Sequence, residues 1–539
     1  MIRHLRSCGD WVENRTGIAG AIRHFLYEDI PASSGWHQVL GSVALFLFLV
    51  QAFTGILLAF NYAPTPGDSY DSLRYILTEV TGGRLIRGLH HWGASMIIVV
   101  VGLHLAQVFL YGAYKKPRET TWLVGVVLLL LTLAFGLTGY LLPWDNRAYW
   151  GTVVTTQIAS NAPLGSYLLR FLGGQGSIGV VTFARFYALH VLLLPPATAL
   201  LIAGHVYLVR KHGVAPAPGD ELVPKKKFHP EQVFKDTVAI FIAFSILFIM
   251  AVVVHVPLEK MADPTDTAYI PRPEWYFLFL FQTLKFFNGP LEVVGSVVLP
   301  GLAVLALVLV PFIDRGQMVR LTRRTFAFGL VILAAIGWTG LTVAAVVTTP
   351  KEARTVAVDY SEPTEWLQLS PDDLAAVGYF RQANCARCHS TGQGGATAGP
   401  DLSHISARKD VAWMLSHFKQ EAGSAAQLTD AQWNSLAAFL GKLNPDSATA
   451  FQYAPEFAVQ GAAVYQTNHC GACHMVNGVG VTVGPPLNGL SRRRARDWTE
   501  QHFADPQKLS PGSIMPPYKL SPTDLDHLTS YLFVLPDAQ

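Results

Sequence analysis

Seven long runs of apolar residues divide the first two thirds of the chain, near residues 37–60, 90–112, 121–142, 186–210, 237–256, 292–314 and 326–348. Each is long enough, and poor enough in charge, to cross a ~30 Å hydrocarbon layer as an α-helix. The first 36 residues are polar and basic at their start, with no pattern of a cleavable signal peptide. Beyond about residue 350 the long runs stop and the sequence takes on a soluble character. Two similar units then follow one another, roughly 374–443 and 456–537, which reads as an internal repeat of one small domain. The fold predicted is all-α: a seven-span transmembrane helical bundle followed by two small helical domains.

Composition agrees. Of 539 residues, 51% are hydrophobic and 14% charged, the balance of a polytopic membrane protein. The net charge of +3 gives no reason to expect a nucleic-acid partner. Basic residues set the orientation. With the N-terminus inside, the inner segments hold seventeen Lys and Arg, among them Arg3, Lys115, Lys116, Lys225, Lys226, Lys227 and Arg324, against nine in the outer loops. Seven spans then place the residues after the last run outside.

Histidine is expensive at membrane depth and calls for a partner. His90 and His104 lie 14 residues apart in the second run. At about 100° and ~1.5 Å per residue they share a face some 21 Å apart, whereas His91 falls on the opposite face. His190 and His205 lie 15 residues apart in the fourth run, with Pro195 and Pro196 between them to kink the helix and absorb the extra residue. Two helices, each with two such histidines, clamp two haems stacked across a membrane: His90 with His190 at the outer level, His104 with His205 at the inner. Gly41 and Gly55, also 14 apart, share a face of the first run and leave room for a haem or a neighbouring helix.

The repeated tail carries Cys385-Ala386-Arg387-Cys388-His389 and Cys470-Gly471-Ala472-Cys473-His474. C-x-x-C-H reads as covalent haem attachment, two thioethers with the adjacent His on the iron. Each unit continues with Gly-Pro (Gly399-Pro400, Gly484-Pro485) and a Trp followed four residues on by His (Trp413 and His417, Trp498 and His502). The fifth cysteine, Cys8, stands apart and reads as an inert thiol.

Leu89-His90-His91-Trp92-Gly93-Ala94-Ser95-Met96, Lys116-Pro117-Arg118-Glu119, Gly136 to Trp144 and Arg185-Phe186-Tyr187-Ala188-Leu189-His190 resemble cytochrome b of the quinol-oxidising bc and b6f complexes. The 15-residue step of the second pair, and four spans followed by three, are similar to the chloroplast-type arrangement, b6 followed by subunit IV, here fused. Gly9 to Arg15 resembles the amphipathic surface helix that begins cytochrome b. Gly512-Ser513-Ile514-Met515-Pro516-Pro517 looks like the methionine loop of class I cytochrome c, which makes Met515 the sixth ligand of the second c haem. The first unit lacks that loop. His417 is the leading candidate for its sixth ligand, with Met414, His404 or an open site as alternatives.

The resemblance implies domains at 1–222 (b6-like), 223–350 (subunit IV-like), a linker at 351–373, and cytochrome c domains at 374–445 and 456–539, with Val223-Pro224-Lys225-Lys226-Lys227 as the fusion linker. Pro273-Glu274-Trp275-Tyr276 matches the PEWY motif of the outer quinol site, with Glu274 as proton acceptor and Tyr140 and the segment 149–156 completing the pocket. Arg87 and Arg210 are expected at haem propionates or the inner quinone site. The b6 family holds an extra covalent haem through a Cys whose place here is Val39, so that attachment is not expected. The implied activity is that of a proton-translocating quinol–cytochrome c reductase subunit in a bacterial inner membrane, with two b and two c haems, a homodimeric assembly, and a soluble cytochrome c or an oxidase as acceptor. A separate Rieske iron–sulfur protein is required, since four of the five cysteines are committed. The alternatives are a non-bifurcating cytochrome b anchor between the quinone pool and a periplasmic redox enzyme, and a non-enzymatic redox sensor or haem scaffold.

Overall fold

The computed structural model describes residues 11, 13–172, 178–216, 225–264, 269–270, 272–287, 289–317, 320–348, 358, 360–392, 398–421, 428–510 and 513–536. Cys8, Val223, Pro224, Gly512 and all of 351–357 lie outside these. The chain forms two compact units, 1–349 and 350–539.

The first unit holds seven helices long and apolar enough to cross a membrane: Leu40–Ala59, Gly83–Tyr111, Glu119–Tyr140, Val180–His212, Glu231–Val253, Val294–Ile313 and Thr325–Thr348, called the first to seventh spans below. Their apolar side chains point mostly outward, as at Leu200 and Val253 (each 74% exposed) and Phe326 (83%), a surface suited to lipid rather than water. The second and fourth spans begin earlier than the apolar runs, because Arg84, Arg87 and Arg185 sit inside helix that continues outward. The first span packs on the second, the third on the fourth, and the fifth across the first two.

The fourth span departs from the expected kink. Ala188–Leu193 forms one wide π-turn, in which Leu194 N–H reaches back to the Leu189 carbonyl. This turn contains His190 and takes up the extra residue of the 15-residue step. Pro195 and Pro196, whose missing N–H groups release carbonyls one turn back, follow directly.

The four-span and three-span parts are locked at one end. Asp314, after the sixth span, accepts from Tyr114 Oη (2.6 Å) and pairs with Lys115 Nζ (2.7 Å) and Arg324 (3.2 Å). Gly112, at φ +66°, makes room for Arg324: a Cβ there would lie 2.3 Å from its Nη1. Of the expected surface helix at Gly9–Arg15, Trp11 and residues 13–15 are helical while Gly9, Asp10 and Val12 lie outside the described residues, and a second short helix follows at Ile18–Leu26. Asp29–Pro31 pairs antiparallel with Lys225–Lys227, so the basic end of the expected linker is a strand, held by Asp29 to Lys227 at 2.7 Å.

The second unit has one continuous core shared by both repeats. Pro371–Gln382 opens the first repeat and packs against Glu456–Thr467, which opens the second. Tyr379 Oη donates to Gln466 Oε1 (2.5 Å), Gln466 Nε2 to Asp372 (2.9 Å), and Arg381 to the Ala454 carbonyl (2.7 Å). Gly378 sits where a Cβ would meet Val459 at 2.7 Å, which brings the two helices into close contact. Ser370 and Ser521 cap the helices that follow them.

Candidate functional site

The second and fourth spans bring the outer histidines face to face. The His90 and His190 rings lie 6.4 Å apart, centre to centre, at 74°. Two metal–imidazole bonds of about 2 Å each, with about 1 Å from nitrogen to ring centre on either side, require about 6 Å. An iron fits between them. Thr54 lies 3.0 Å from His90 Nδ1 and Thr138 lies 2.9 Å from His190 Nδ1.

Each of the four expected ligands faces a glycine. A Cβ on Gly55 would lie 3.2 Å from His90 Cε1, on Gly41 3.5 Å from His104, on Gly125 3.4 Å from His205, and on Gly139 2.5 Å from His190. Gly41 and Gly55 were legible from their spacing. Gly125 and Gly139 are also 14 apart, in the third span, and carried the same signal unread. His104, His205, Gly41 and Gly125 line one cavity of about 440 Å³, which extends to Gln38, Arg118, Gln232 and Asp236. Arg118 is the guanidinium on this cavity. Arg210 instead pairs with Glu28 (2.8 Å) and covers the Phe25 ring. Arg87 is buried and donates to the Val256 and Pro257 carbonyls (2.9 and 3.0 Å).

The Pro273-Glu274-Trp275-Tyr276 segment docks on the spans that carry the outer pair. Trp275 Nε1 donates to Ser95 Oγ (3.2 Å), one turn and a half past His90. The Tyr276 ring lies against Gly136, where a Cβ would meet it at 3.1 Å. Tyr140 packs its ring on Gly151 of the helix Asn146–Asn161, and its hydroxyl lies 2.9 Å from the Arg147 carbonyl and 3.2 Å from that of Arg272. Asp145 caps that helix through Ala148 N–H (2.9 Å) and accepts from Glu259 N–H (3.2 Å), which fixes the 259–263 segment beside it. The result is a cluster that the sequence did not disclose. Arg147 joins Glu274 (3.3 Å) to Glu259 (3.2 Å), and Tyr269 Oη donates to the other Glu259 oxygen (2.8 Å). Burial pushes the Glu274 carboxyl above the ordinary range, against the pull of Arg147.

The tail repeats one site twice. Asn384 and His469, both left-handed, turn the chain into Cys385–Arg387 and Cys470–Ala472. His389 Nδ1 lies 2.9 Å from the Pro400 carbonyl and His474 Nδ1 2.9 Å from that of Pro485, which orients each ring. The glycine of each Gly-Pro pair permits this approach, since a Cβ on Gly399 or Gly484 would lie within 2.7 Å of the ring. Trp413 stacks on His417 (5.2 Å, 7°) and Trp498 on His502 (4.6 Å, 13°), and Lys409 and Arg494 cover the same indoles. The His417 ring then stands 6.1 Å from His389 at 77°, again the separation that holds an iron. Met414 is buried in the core and His404 is exposed. Met515 packs on the core of the second repeat. These residues fit haem c.

Comparison with known proteins agrees with this geometry. Residues 29–213 match the family "Cytochrome b/b6/petB", 261–360 match "Cytochrome b(C-terminal)/b6/petD", and 375–444 and 458–535 match "Cytochrome c". A "Cytochrome bc complex cytochrome b subunit" of Chlorobaculum thiosulfatiphilum is 35% identical over 333 residues, covering 60% of this chain and 78% of that one. The chain belongs to the cytochrome b family of cytochrome bc complexes. A solved structure titled "Hyperthermophilic respiratory Complex III" superposes with a TM-score of 0.58 at 29% identity, over 64% of this chain and 92% of that one. This cytochrome b is a multi-pass membrane protein with a C-terminal pair of cytochrome c repeats, and its relatives are electron-transfer oxidoreductase subunits that imply haem b and haem c.

Proposed function

We propose that this chain is the core electron-transfer subunit of a quinol–cytochrome c oxidoreductase, and that it oxidises quinol at an outer site beside His90 and His190 with a separate Rieske iron–sulfur partner. Two b haems on His90/His190 and His104/His205, and two c haems on the C-x-x-C-H motifs, supply the one-electron chemistry when bound. His417 serves the first c iron and Met515 the second. Bis-histidine ligation gives the first the lower potential, so electrons leave through the second repeat toward a soluble carrier or oxidase.

The observation that carries the reading is the part-buried Glu274, held by Arg147 next to Trp275 and Tyr276, which dock on the spans that carry or face the outer histidines. Quinol oxidation releases two protons. A carboxylate whose affinity for protons is raised by burial accepts one from a quinol hydroxyl, and Arg147 restores its ionised form afterward. Tyr140 and Tyr276 wall the pocket and exclude water. At the other end, the cavity lined by Gln232, Asp236 and Arg118 takes quinone and its protons from the inner side. The charge bias puts the N-terminus inside a bacterial inner membrane and the c repeats outside, and the assembly is a homodimer.

The test is quinol-driven reduction of the b haems in membranes with the partner present. Glu274→Gln is expected to slow it at least about 10²-fold with all haems retained. Unchanged reduction in that variant would favour the non-bifurcating anchor.

A further inference from the structure

Thr54 and Thr138 occupy matching places on either side of the outer histidine pair. Each comes directly before the glycine that faces its histidine, as Thr54-Gly55 and Thr138-Gly139. Thr54 Oγ1 lies 2.7 Å from the Val50 carbonyl oxygen and 3.0 Å from His90 Nδ1. Thr138 Oγ1 lies 2.7 Å from the Ala134 carbonyl oxygen and 2.9 Å from His190 Nδ1. A hydroxyl has one hydrogen to give, and a carbonyl oxygen only accepts. Both hydroxyl hydrogens therefore go to the helix carbonyl one turn back, a common habit of threonine in a membrane helix. The threonine oxygen is left as acceptor and Nδ1–H becomes the donor. This settles the tautomer of both rings, with the proton on Nδ1 and the lone pair on Nε2. Both threonines are buried, at 3% and 6% exposure, so water does not compete for either bond.

The inner pair is built differently. The residues before Gly41 and Gly125 are Leu40 and Val124, which have no hydroxyl. Among the described residues no serine or threonine hydroxyl bonds His104 or His205. The two ends of the bundle share the glycine cradle but not the buried hydroxyl acceptor: His104 has the Gln107 side chain as a neighbour and His205 the Thr121 backbone.

The geometry points to Thr54 and Thr138 as positioning residues that lock both outer imidazoles with Nε2 toward the iron and lower the outer haem's midpoint potential relative to the inner. The inference rests on the reading that His90 and His190 hold a haem. An acceptor on the far nitrogen makes the imidazole a stronger donor, and a stronger donor favours the ferric state. The partial negative charge of each buried hydroxyl oxygen acts in the same direction. Neither threonine needs to touch the haem.

The experiment is a potentiometric titration of the purified full chain, resolved by haem in the visible bands, with low-temperature EPR of the oxidised form. The variants are Thr54→Val, Thr138→Val, the double variant, and Thr54→Ser with Thr138→Ser. Valine keeps the volume and removes the acceptor, and serine keeps the acceptor. Each valine variant is expected to raise the outer b midpoint, the double variant to raise it by about the sum, and the inner b and both c midpoints to stay in place. The serine variants should titrate as wild type. The outer haem's EPR line should move in the valine variants as the rings lose their fixed setting. An outer midpoint that stays or falls in the single valine variants, with haem content retained, overturns the inference. If the double variant loses the haem, the single variants still decide. A wild-type chain with fewer than two b haems would instead overturn the haem reading beneath it.

Discussion

The Arg147 guanidinium meets the Glu274 carboxylate at 3.3 Å, across 127 positions of sequence. The same guanidinium holds Glu259 at 3.2 Å, so one cation serves two acids at the mouth of the outer pocket. Glu274 is the proposed proton acceptor, and its burial places it above the ordinary carboxylate range. The base form is present only above that raised value. Quinol oxidation should therefore fall as pH drops through it, and Glu274→Gln should flatten this limb while lowering the rate. Rates measured against pH in both forms check it, and a limb that persists in the variant assigns it elsewhere.

Glu259 and Arg147 move that limb in opposite directions. Glu259 opposes ionisation of Glu274 by like charge, while Arg147 and, further off, Arg87 favour it. Glu259→Gln leaves Arg147 to Glu274 alone and should shift the acid limb to lower pH. Arg147→Met should shift it to higher pH. The same pH–rate series reads both, and two shifts of one sign would show that the cluster does not act through Glu274.

The glycines differ in how much room they leave. A methyl at Gly139 would overlap His190 at 2.5 Å, whereas one at Gly41 would meet His104 at an ordinary 3.5 Å. Overpacking of this kind costs about 1–3 kcal/mol or moves the neighbour. Gly139→Ala should lose much of the outer b haem and Gly41→Ala should keep the inner one, as counted by pyridine haemochrome.

His417 stands 6.1 Å from His389, with its plane set by Trp413. His417→Met should raise the midpoint of the first c haem, since a thioether favours the ferrous state over an imidazole. Covalent attachment through Cys385 and Cys388 should remain. A midpoint that does not respond would return the sixth position to Met414 or to an open site.

Much of this was legible in the chain because it repeats at fixed intervals. The seven apolar runs gave the seven spans, and the two histidine pairs and two C-x-x-C-H motifs gave the candidate ligands. The Gly125–Gly139 pair had the same 14-residue interval and could have been read. So could the matched Lys409, Trp413, His417 and Arg494, Trp498, His502, each stepping by four. What could not be read was long-range. Arg147 and Glu259 are 112 residues apart, and no local pattern joins them. The wide turn at Ala188–Leu193 is a backbone choice that two prolines suggested without locating. Arg210, expected by resemblance and charge at a haem propionate or the inner quinone site, pairs with Glu28 and covers the Phe25 ring, contacts that no local pattern announced.

The most direct measurement is the haem content and redox titration of the purified chain. Two b and two c haems per chain, with two separable b midpoints, is the result predicted by the paired histidines and the repeated C-x-x-C-H motifs. A single b haem, or b haems that survive replacement of both His90 and His190 unchanged in number, would contradict the account at its base.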